Sequence, residues 1–321
     1  MHSSVFFKLF PPPKFMLMRH SGLHISDHTI RFIEYSGSGR SMRISRFGSL
    51  DLPPGTIEGG EARDEKALSA ALAEFDKKND LSYVKVSVPE EKAYLFQIEV
   101  PSTDVRTIAQ NIEFKLEENV PLTASDAVFY FDLLPLEPGS PIRASVSVVS
   151  RAYIEKMMGI LRGCGMSPVA FEVLPKAVAR SVIHPHSTIT TMIVYIMKKK
   201  TGIYIVMGNV VGFSSTIPYG TDTPPVDGAD TASMISKEIG RVRAFWASHA
   251  PSSSEVKEVI LVGAKASEYR EPIRDPFASE GVSVSVGDVW SNAFDINKYI
   301  PPIAQADSLD YVVAAGLAMD A

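Results

Sequence analysis

Cysteine is nearly absent: Cys164 is the one cysteine in 321 residues. A single thiol cannot close an internal disulfide, which excludes a stapled secreted scaffold and makes a reducing, cytoplasmic setting the expectation. An excess of basic charge is missing too. Lys and Arg number 32 against 37 Asp and Glu, a formal charge of -5, whereas a nucleic-acid binder carries a basic domain or stripe. There is no G-x-S-x-G and no P-loop, so neither a serine elbow nor a Walker-type phosphate cradle is encoded. A convincing membrane span is also lacking. Residues 201–221 carry no formal charge over about 21 positions and follow Lys198-Lys199-Lys200, a positive flank. Yet Gly202, Gly208, Asn209, Gly212, Pro218 and Gly220 supply turn chemistry instead, and Gly208-Asn209 between β-rich runs reads as a hairpin. The N-terminus has neither the basic start nor the long apolar core of a signal peptide. Val5, Phe6, Leu9 and Phe10 could line two helical turns before Pro11-Pro12-Pro13 forces an extended stretch. This tail, residues 1–20, is expected to pack on its own domain or stay loose, the alternative being a short docking peptide for a partner or membrane surface.

What is present is an ordinary globular composition, 45% hydrophobic and 21% charged, in a chain long enough for about two cores. The organisation shows as a repeat. Short β-rich runs at 23–25, 29–35 and 42–52 are separated by turns at 26–28 and 37–39. A second meander runs through 191–197, 203–207 and 210–217, with turns at 198–202 and 208–209. Each meander is followed by an amphipathic helix and then a strand. In the first half these are 64–78, with Leu68, Leu72 and Phe75 on one face and Asp64 as N-cap, then 83–88. In the second they are 230–249, with Met234, Ile235, Ile239, Val242 and Phe245 at helical spacing, then 259–262 opening into Gly263. The pattern predicts two α/β domains built to one plan.

Between them lies further structure: a strand at 93–100, a helix at 103–118, strands at 128–134 and 144–149 around Pro138-Gly139, and a helix at 151–162. A strand at 169–173 and a helix at 175–183, begun by a proline tolerated in the first turn, complete this stretch. The expected division is a first domain over 21–185, carrying an inserted subdomain at about 93–165, and a second over 186–321.

Six segments carry a family resemblance: GLHISDHTIRFIEY (22–35), LPPGTIEGGEARDEKAL (52–68), SVPEEKAYLFQIEVP (87–101), IEFKLEENVPL (112–122), LRGCGMSPVAFEV (161–173) and the closing DYVVAAGLAM (310–319). In their order and spacing, from about Pro11 to the end, the chain resembles the PilM family, the actin-like cytoplasmic proteins of type IV pilus assembly. The resemblance implies the actin/hexokinase/Hsp70 (ASKHA) fold, α/β in class, with a relocated subdomain as in FtsA. It also implies ATP between the halves and, as partner, the short cytoplasmic N-terminal segment of the bitopic membrane protein PilN. That segment would sit in a groove between the first subdomain and the inserted one. Other pilus assembly components would be partners as well, at the inner face of the cytoplasmic membrane. The groove residues are expected on the strand at 93–100 and the helix at 103–118.

The resemblance also supplies a test of the nucleotide site. Family members place an Asp before each phosphate turn to organise Mg²⁺ and water, and a Gly so that phosphate can approach closely. Against the family's G-L-D-I-G/S, this chain has Gly22-Leu23-His24-Ile25-Ser26, with His24 for Asp and Asp27 displaced. Against D-I-G-x-x-x-T it has Tyr195-Ile196-Met197-Lys198-Lys199-Lys200-Thr201, with Tyr195 for Asp and Met197 for Gly. The adenosine pattern keeps one Gly of two, in Val262-Gly263-Ala264. If nucleotide binds, Ser26, Asp27, Lys200, Thr201 and Gly263 would hold it. The expectation is weak or absent binding, no required cofactor and no turnover, which makes the chain a scaffold. An ATPase with rebuilt turns and a filament-forming cytoskeletal protein are the competing readings. His20, His24 and His28 recur every four residues, but strand geometry separates such positions by roughly 13 Å, too far for one metal. Cys164, between Gly163 and Gly165 at a helix end, reads as structural, and Met157, Met158 and Met166 as an apolar face of the inserted unit.

Overall fold

The computed structural model describes residues 19–37, 41–101, 104–136, 141–225, 230–249 and 254–319. The N-terminal tail to residue 18 and the Pro138-Gly139 turn therefore lie outside the described residues.

The first half begins with β1 (Ser21–Ile25), β2 (Thr29–Ser36) and β3 (Arg43–Asp51), an antiparallel meander. A small hairpin, β4 (Ile57–Glu58) and β5 (Glu61–Ala62), leads to helix α1 (Glu65–Asn79). Asp64 caps α1 as expected, accepting from the Ala67 N–H at 2.9 Å. Leu68, Leu72 and Phe75 are buried on its inner face, each such side chain contributing about 1.5–3 kcal/mol of apolar burial. Strand β6 (Tyr83–Val88) then pairs parallel to β1.

The inserted unit is β7 (Ala93–Glu99), helix α2 (Val105–Asn119), β8 (Ala127–Leu133) and β9 (Arg143–Ser150). Its sheet has the order β7-β9-β8. Ala144, Val146 and Val148 of β9 share a core with Ile108, Ile112 and Leu116 of α2. The alternate residues Ser145, Ser147 and Val149 face the other way, as the two-residue period of a strand requires.

The chain returns to the first half through α3 (Arg151–Gly163), β10 (Ser167–Val173) and α4 (Leu174–Val182). Met157 and Leu161 of α3, and Met166 beyond it, are buried with Leu68 and Leu72 of α1. The inserted unit thus ends at Ser150 rather than near 165, and these methionines belong to the first half's core.

The second half repeats the plan with β11 (Thr190–Ile196), β12 (Thr201–Met207), β13 (Val210–Ile217), helix α5 (Thr231–His249) and β14 (Glu258–Gly263). Helix α6 (Ala266–Arg274), strand β15 (Ser283–Val286), a short turn of helix α7 (Gln305–Ser308) and α8 (Val312–Ala318) complete it. The two main sheets have the same topology: β10-β6-β1-β2-β3 and β15-β14-β11-β12-β13. In both, the central strand pairs antiparallel on one side and parallel on the other. Both central strands are buried along their whole length, which is why they read as apolar runs without alternation.

Helices α4 and α8 cross between the halves. Their contact depends on Gly316, where a Cβ would overlap the Ala177 carbonyl. Among the described residues no helix is long and apolar enough to cross a membrane, and residues 201–221 form β12 and β13.

Candidate functional site

Two concave features stand at the junctions of these units. The first is the cleft between the halves, a cavity of about 160 Å³. The equivalent turns of the two meanders meet there. Ser26, Asp27 and His28 come from the first, Lys198, Lys199 and Lys200 from the second, with Gly263 beside them. Four of the five expected nucleotide residues therefore converge. Thr201 does not join them: it is buried, and its hydroxyl donates to the Tyr219 carbonyl at 2.6 Å.

His24 and Tyr195 occupy equivalent places, each the second-last residue of its half's central strand. Both line the cleft and both are buried. Nδ1 of His24 lies 2.9 Å from the Ser87 hydroxyl. Burial, helped by the Arg31 and Lys200 charges, lowers the His24 pKa to about 3, so the ring is neutral. The two carboxylates of the cleft are already engaged. Asp27 accepts from the Gly59 and Gly60 N–H groups at 2.9 and 3.0 Å, and Asp310 pairs with Arg31 at 3.3 Å. The Lys200 ammonium is paired with Glu91. A nucleotide needs a pocket of roughly 300 Å³ or more and an oxygen ligand for Mg²⁺. As placed, these residues do not fit Mg·ATP. Among the described residues no group of three metal-ligating side chains forms either. His20 Nε2 lies 3.2 Å from the Leu317 carbonyl, apart from His24.

The second feature is a groove of about 450 Å³ between the inserted unit and the first half. Pairing register places Val128 opposite Val149 and Tyr130 opposite Ser147, all on the face of the inserted sheet that turns away from α2. Across from them stand Ala170–Val173 of β10 with Lys85, Val88 and Lys176. Both β8 and β10 are outermost strands of their sheets, so each has one edge without a strand neighbour. Val128 and Tyr130 are 40% and 59% exposed. The Lys176 ammonium lies 4.1 Å from the Tyr130 ring centroid and 2.8 Å from Asp132.

The groove floor is ionic. Glu172 accepts from Lys85 at 2.7 Å and from both Arg180 Nη atoms at 2.7 and 2.9 Å. Arg180 also donates to the Gly316 carbonyl at 2.8 Å. Burial alone would raise the Glu172 pKa, but Arg180 and Lys85 outweigh it and hold the carboxyl below its usual range. For Lys85 burial wins over Glu172, and its pKa is lowered.

The strand at 93–100 and the helix at 103–118 do not line this groove, while Ala93, Tyr94 and Leu95 of that strand line a neighbouring cavity of about 270 Å³. Gln97 of β7 instead donates to the Gly212 carbonyl at 2.7 Å, and Ser145 of β9 to that of Val211 at 2.6 Å, docking the inserted unit on the second half. The groove side chains come from six elements of the fold, and no local motif announces them. Cys164 is half-buried, donates to the Ser69 carbonyl at 3.3 Å, and has its thiol pKa raised by burial and by Asp76.

Two copies of one five-stranded unit, joined at their central turns and crossed by α4 and α8, define the actin-like ATPase fold. Among solved structures the chain is similar to the PilM-PilN type IV pilus biogenesis complex, with a TM-score of 0.74 and 18% identity over 94% of this chain and 98% of that one. It is also similar to the ethanolamine utilization protein EutJ from Carboxydothermus hydrogenoformans, with a TM-score of 0.51 and 13% identity over 96% of this chain and 90% of that one. No protein-family model and no curated protein matches the sequence.

Proposed function

We propose that this chain is a non-enzymatic scaffold of type IV pilus assembly that captures a short extended peptide in the groove between β8 and β10. The observation that carries the reading is that groove: two open strand edges, an apolar wall and a buried ionic floor, in a fold shared with the PilM-PilN complex. An extended segment would pair its main chain with an edge strand for affinity and seat alternate side chains for register. The occupant we infer is the cytoplasmic N-terminal segment of a PilN-like bitopic membrane protein. That partner would hold the chain at the inner face of the membrane. The interdomain cleft has no part in catalysis in this reading, because its carboxylates and Lys200 are bound to protein groups.

The test is a calorimetric titration with a synthetic N-terminal peptide of the PilN-like protein encoded beside this one. Micromolar binding is expected, weakened at least tenfold by Tyr130→Ala or Val128→Asp. Absence of binding would remove the peptide reading. Separately, Mg·ATP should leave the thermal midpoint unchanged. Micromolar binding of Mg·ATP would overturn the assignment of the cleft.

A further inference from the structure

The connector between β6 and β7 carries two adjacent carboxylates that reach the second half in different ways. Glu91 is paired with Lys200. Glu90 is buried, 9% exposed. Its Oε2 accepts from the Thr216 hydroxyl of β13 at 3.3 Å. Its Oε1 has no hydrogen-bond partner among the described residues, and neither has the nearby Tyr204 hydroxyl of β12. Both oxygens crowd the same spot over Gly202, where a Cβ would overlap each of them. Glycine at 202 is thus what lets the first half's carboxyl lie on the second half's strand.

We propose that the Glu90 carboxyl is a proton-operated latch between the halves, and that it sets the geometry of the peptide groove. As a neutral acid it can lie buried against β12 and β13. As a carboxylate it would hold a charge there with one oxygen unpaired, which is strongly unfavourable. Of the charged groups around it, Lys200 favours the carboxylate but does not offset the burial. From its own connector Glu91 repels it and Lys92 is committed to Glu61 at 2.6 Å. From the second half Lys200 is already held by Glu91, and Tyr195, its pKa raised by burial, is a neutral phenol at physiological pH. Ionisation therefore favours movement of the connector away from β12.

This movement reaches the groove through shared walls. Val88, two residues before Glu90, lines the groove. Ser147 and Val173 line both the groove and a cavity of about 270 Å³ that Glu90 faces. Val88, Val149 and Val173 pack together beneath them. This part of the inference rests on the peptide reading of the groove. The closed latch holds the groove at its present width, so the peptide should bind more tightly when Glu90 is protonated.

Burial is the main cause that raises the Glu90 pKa from its ordinary 4.5 to about 7, with Glu91 adding to it and Lys200 opposing. Linkage then makes the closed-to-open ratio fall about eightfold between pH 6.0 and 7.5. The test is amide hydrogen exchange across the 90–93 connector and the 212–216 strand segment at these two pH values, corrected for intrinsic rates. Wild-type protection should fall about eightfold on raising the pH, and Glu90→Gln, a neutral isostere, should abolish the dependence. Protection that does not change with pH, or the same change in Glu90→Gln, would overturn the latch. A carboxyl-carbon titration of Glu90 in the unmodified protein decides without any variant: a midpoint near 7 supports the latch and one near the ordinary value refutes it. The synthetic PilN-like peptide, titrated at both pH values, should bind about eightfold more tightly at pH 6.0 in wild type only. Equal affinity with a working latch would overturn the coupling to the groove. A peptide that binds at neither pH would remove the groove reading while exchange still decides the latch.

Discussion

Glu172→Gln isolates the ionic floor of the groove. The substitution keeps the size of the side chain and removes its charge, leaving Lys85 and Arg180 facing each other without an anion. In the native protein this carboxylate accepts three charge-assisted hydrogen bonds of 2.7–2.9 Å. The side chains of Lys85 and Glu172 are each 11% exposed, and that of Arg180 is 15% exposed. Removing one partner from so buried a cluster costs about 3–5 kcal/mol, because the remaining charges stay desolvated. Over a chain of this length that corresponds to a fall in thermal midpoint of roughly 5–7 °C, from about 2.1 cal/mol/K of unfolding entropy per residue. Urea unfolding followed by circular dichroism measures it. The acid side gives an independent check. The Glu172 pKa is depressed on folding, so its stabilisation is present above the unfolded-state value and is lost as pH falls through the folded one. Wild type should lose stability over that acid range, and Glu172→Gln should lose less. Replacing all three by Met and Leu should restore most of the loss, short of about 1–3 kcal/mol for the Gly316 carbonyl left without Arg180. A Glu172→Gln protein within 1 kcal/mol of wild type by urea unfolding, on the scale set for buried pairs, would refute this account of the floor.

Other perturbations test the frame around it. Gly316→Ala drives a methyl into the Ala177 carbonyl and should destabilise by about 3 kcal/mol or more, read as a lower urea midpoint. Asn292 places its side-chain amide 2.6–3.2 Å from the carbonyls of Arg180, Ser181 and Ile183, at the end of α4. Asn292→Ala should therefore cost about 1–3 kcal/mol and raise exchange rates at that helix end. His24, its folded pKa near 3 and its ordinary value 6.5, is buried neutral. Its contribution is complete above pH 6.5 and is lost as pH falls toward 3, by about 1.4 kcal/mol per unit, so His24→Gln should flatten the acid slope in pH-dependent melts.

The repeat was legible because each half opens on a β-rich meander and each following helix keeps its spacing, as Leu68, Leu72 and Phe75 do. The Gly208-Asn209 hairpin was legible from turn chemistry. The cleft residues were found through the family pattern, which located His24 and Tyr195 by what they replace. The side chains that line the groove between β8 and β10 were not legible, for a physical reason. The face a strand presents follows from alternation, but what lies opposite that face depends on how whole units dock. Gln97 and Ser145 carry nothing that marks them as contacts to β13. Helix α3 was assigned to the inserted unit because it follows β9 directly, whereas Met157 and Leu161 take it into the core of α1. Glu90 sits in a segment that marked the family, yet only the approach of Gly202 and Tyr204 shows that it is buried.

The cleft and the latch are joined by one residue. Lys200 lies close enough to help keep His24 neutral, pairs with Glu91, and favours the ionised form of Glu90. Where the family resemblance implies a phosphate between the two turns, this chain sets that ammonium against a carboxylate of the opposite half. Asp27 is likewise spent on the β4–β5 hairpin and Asp310 on Arg31. Admitting a phosphate at Lys200 would require breaking the Glu91 pair, and the phosphate and the freed carboxylate would then add negative charge beside Glu90 and favour its protonated form. An anion in the cleft and a proton on Glu90 would thus favour each other. His24 and Tyr195 therefore belong with the carboxylates at 90 and 91 as one arrangement of direct contacts between the halves.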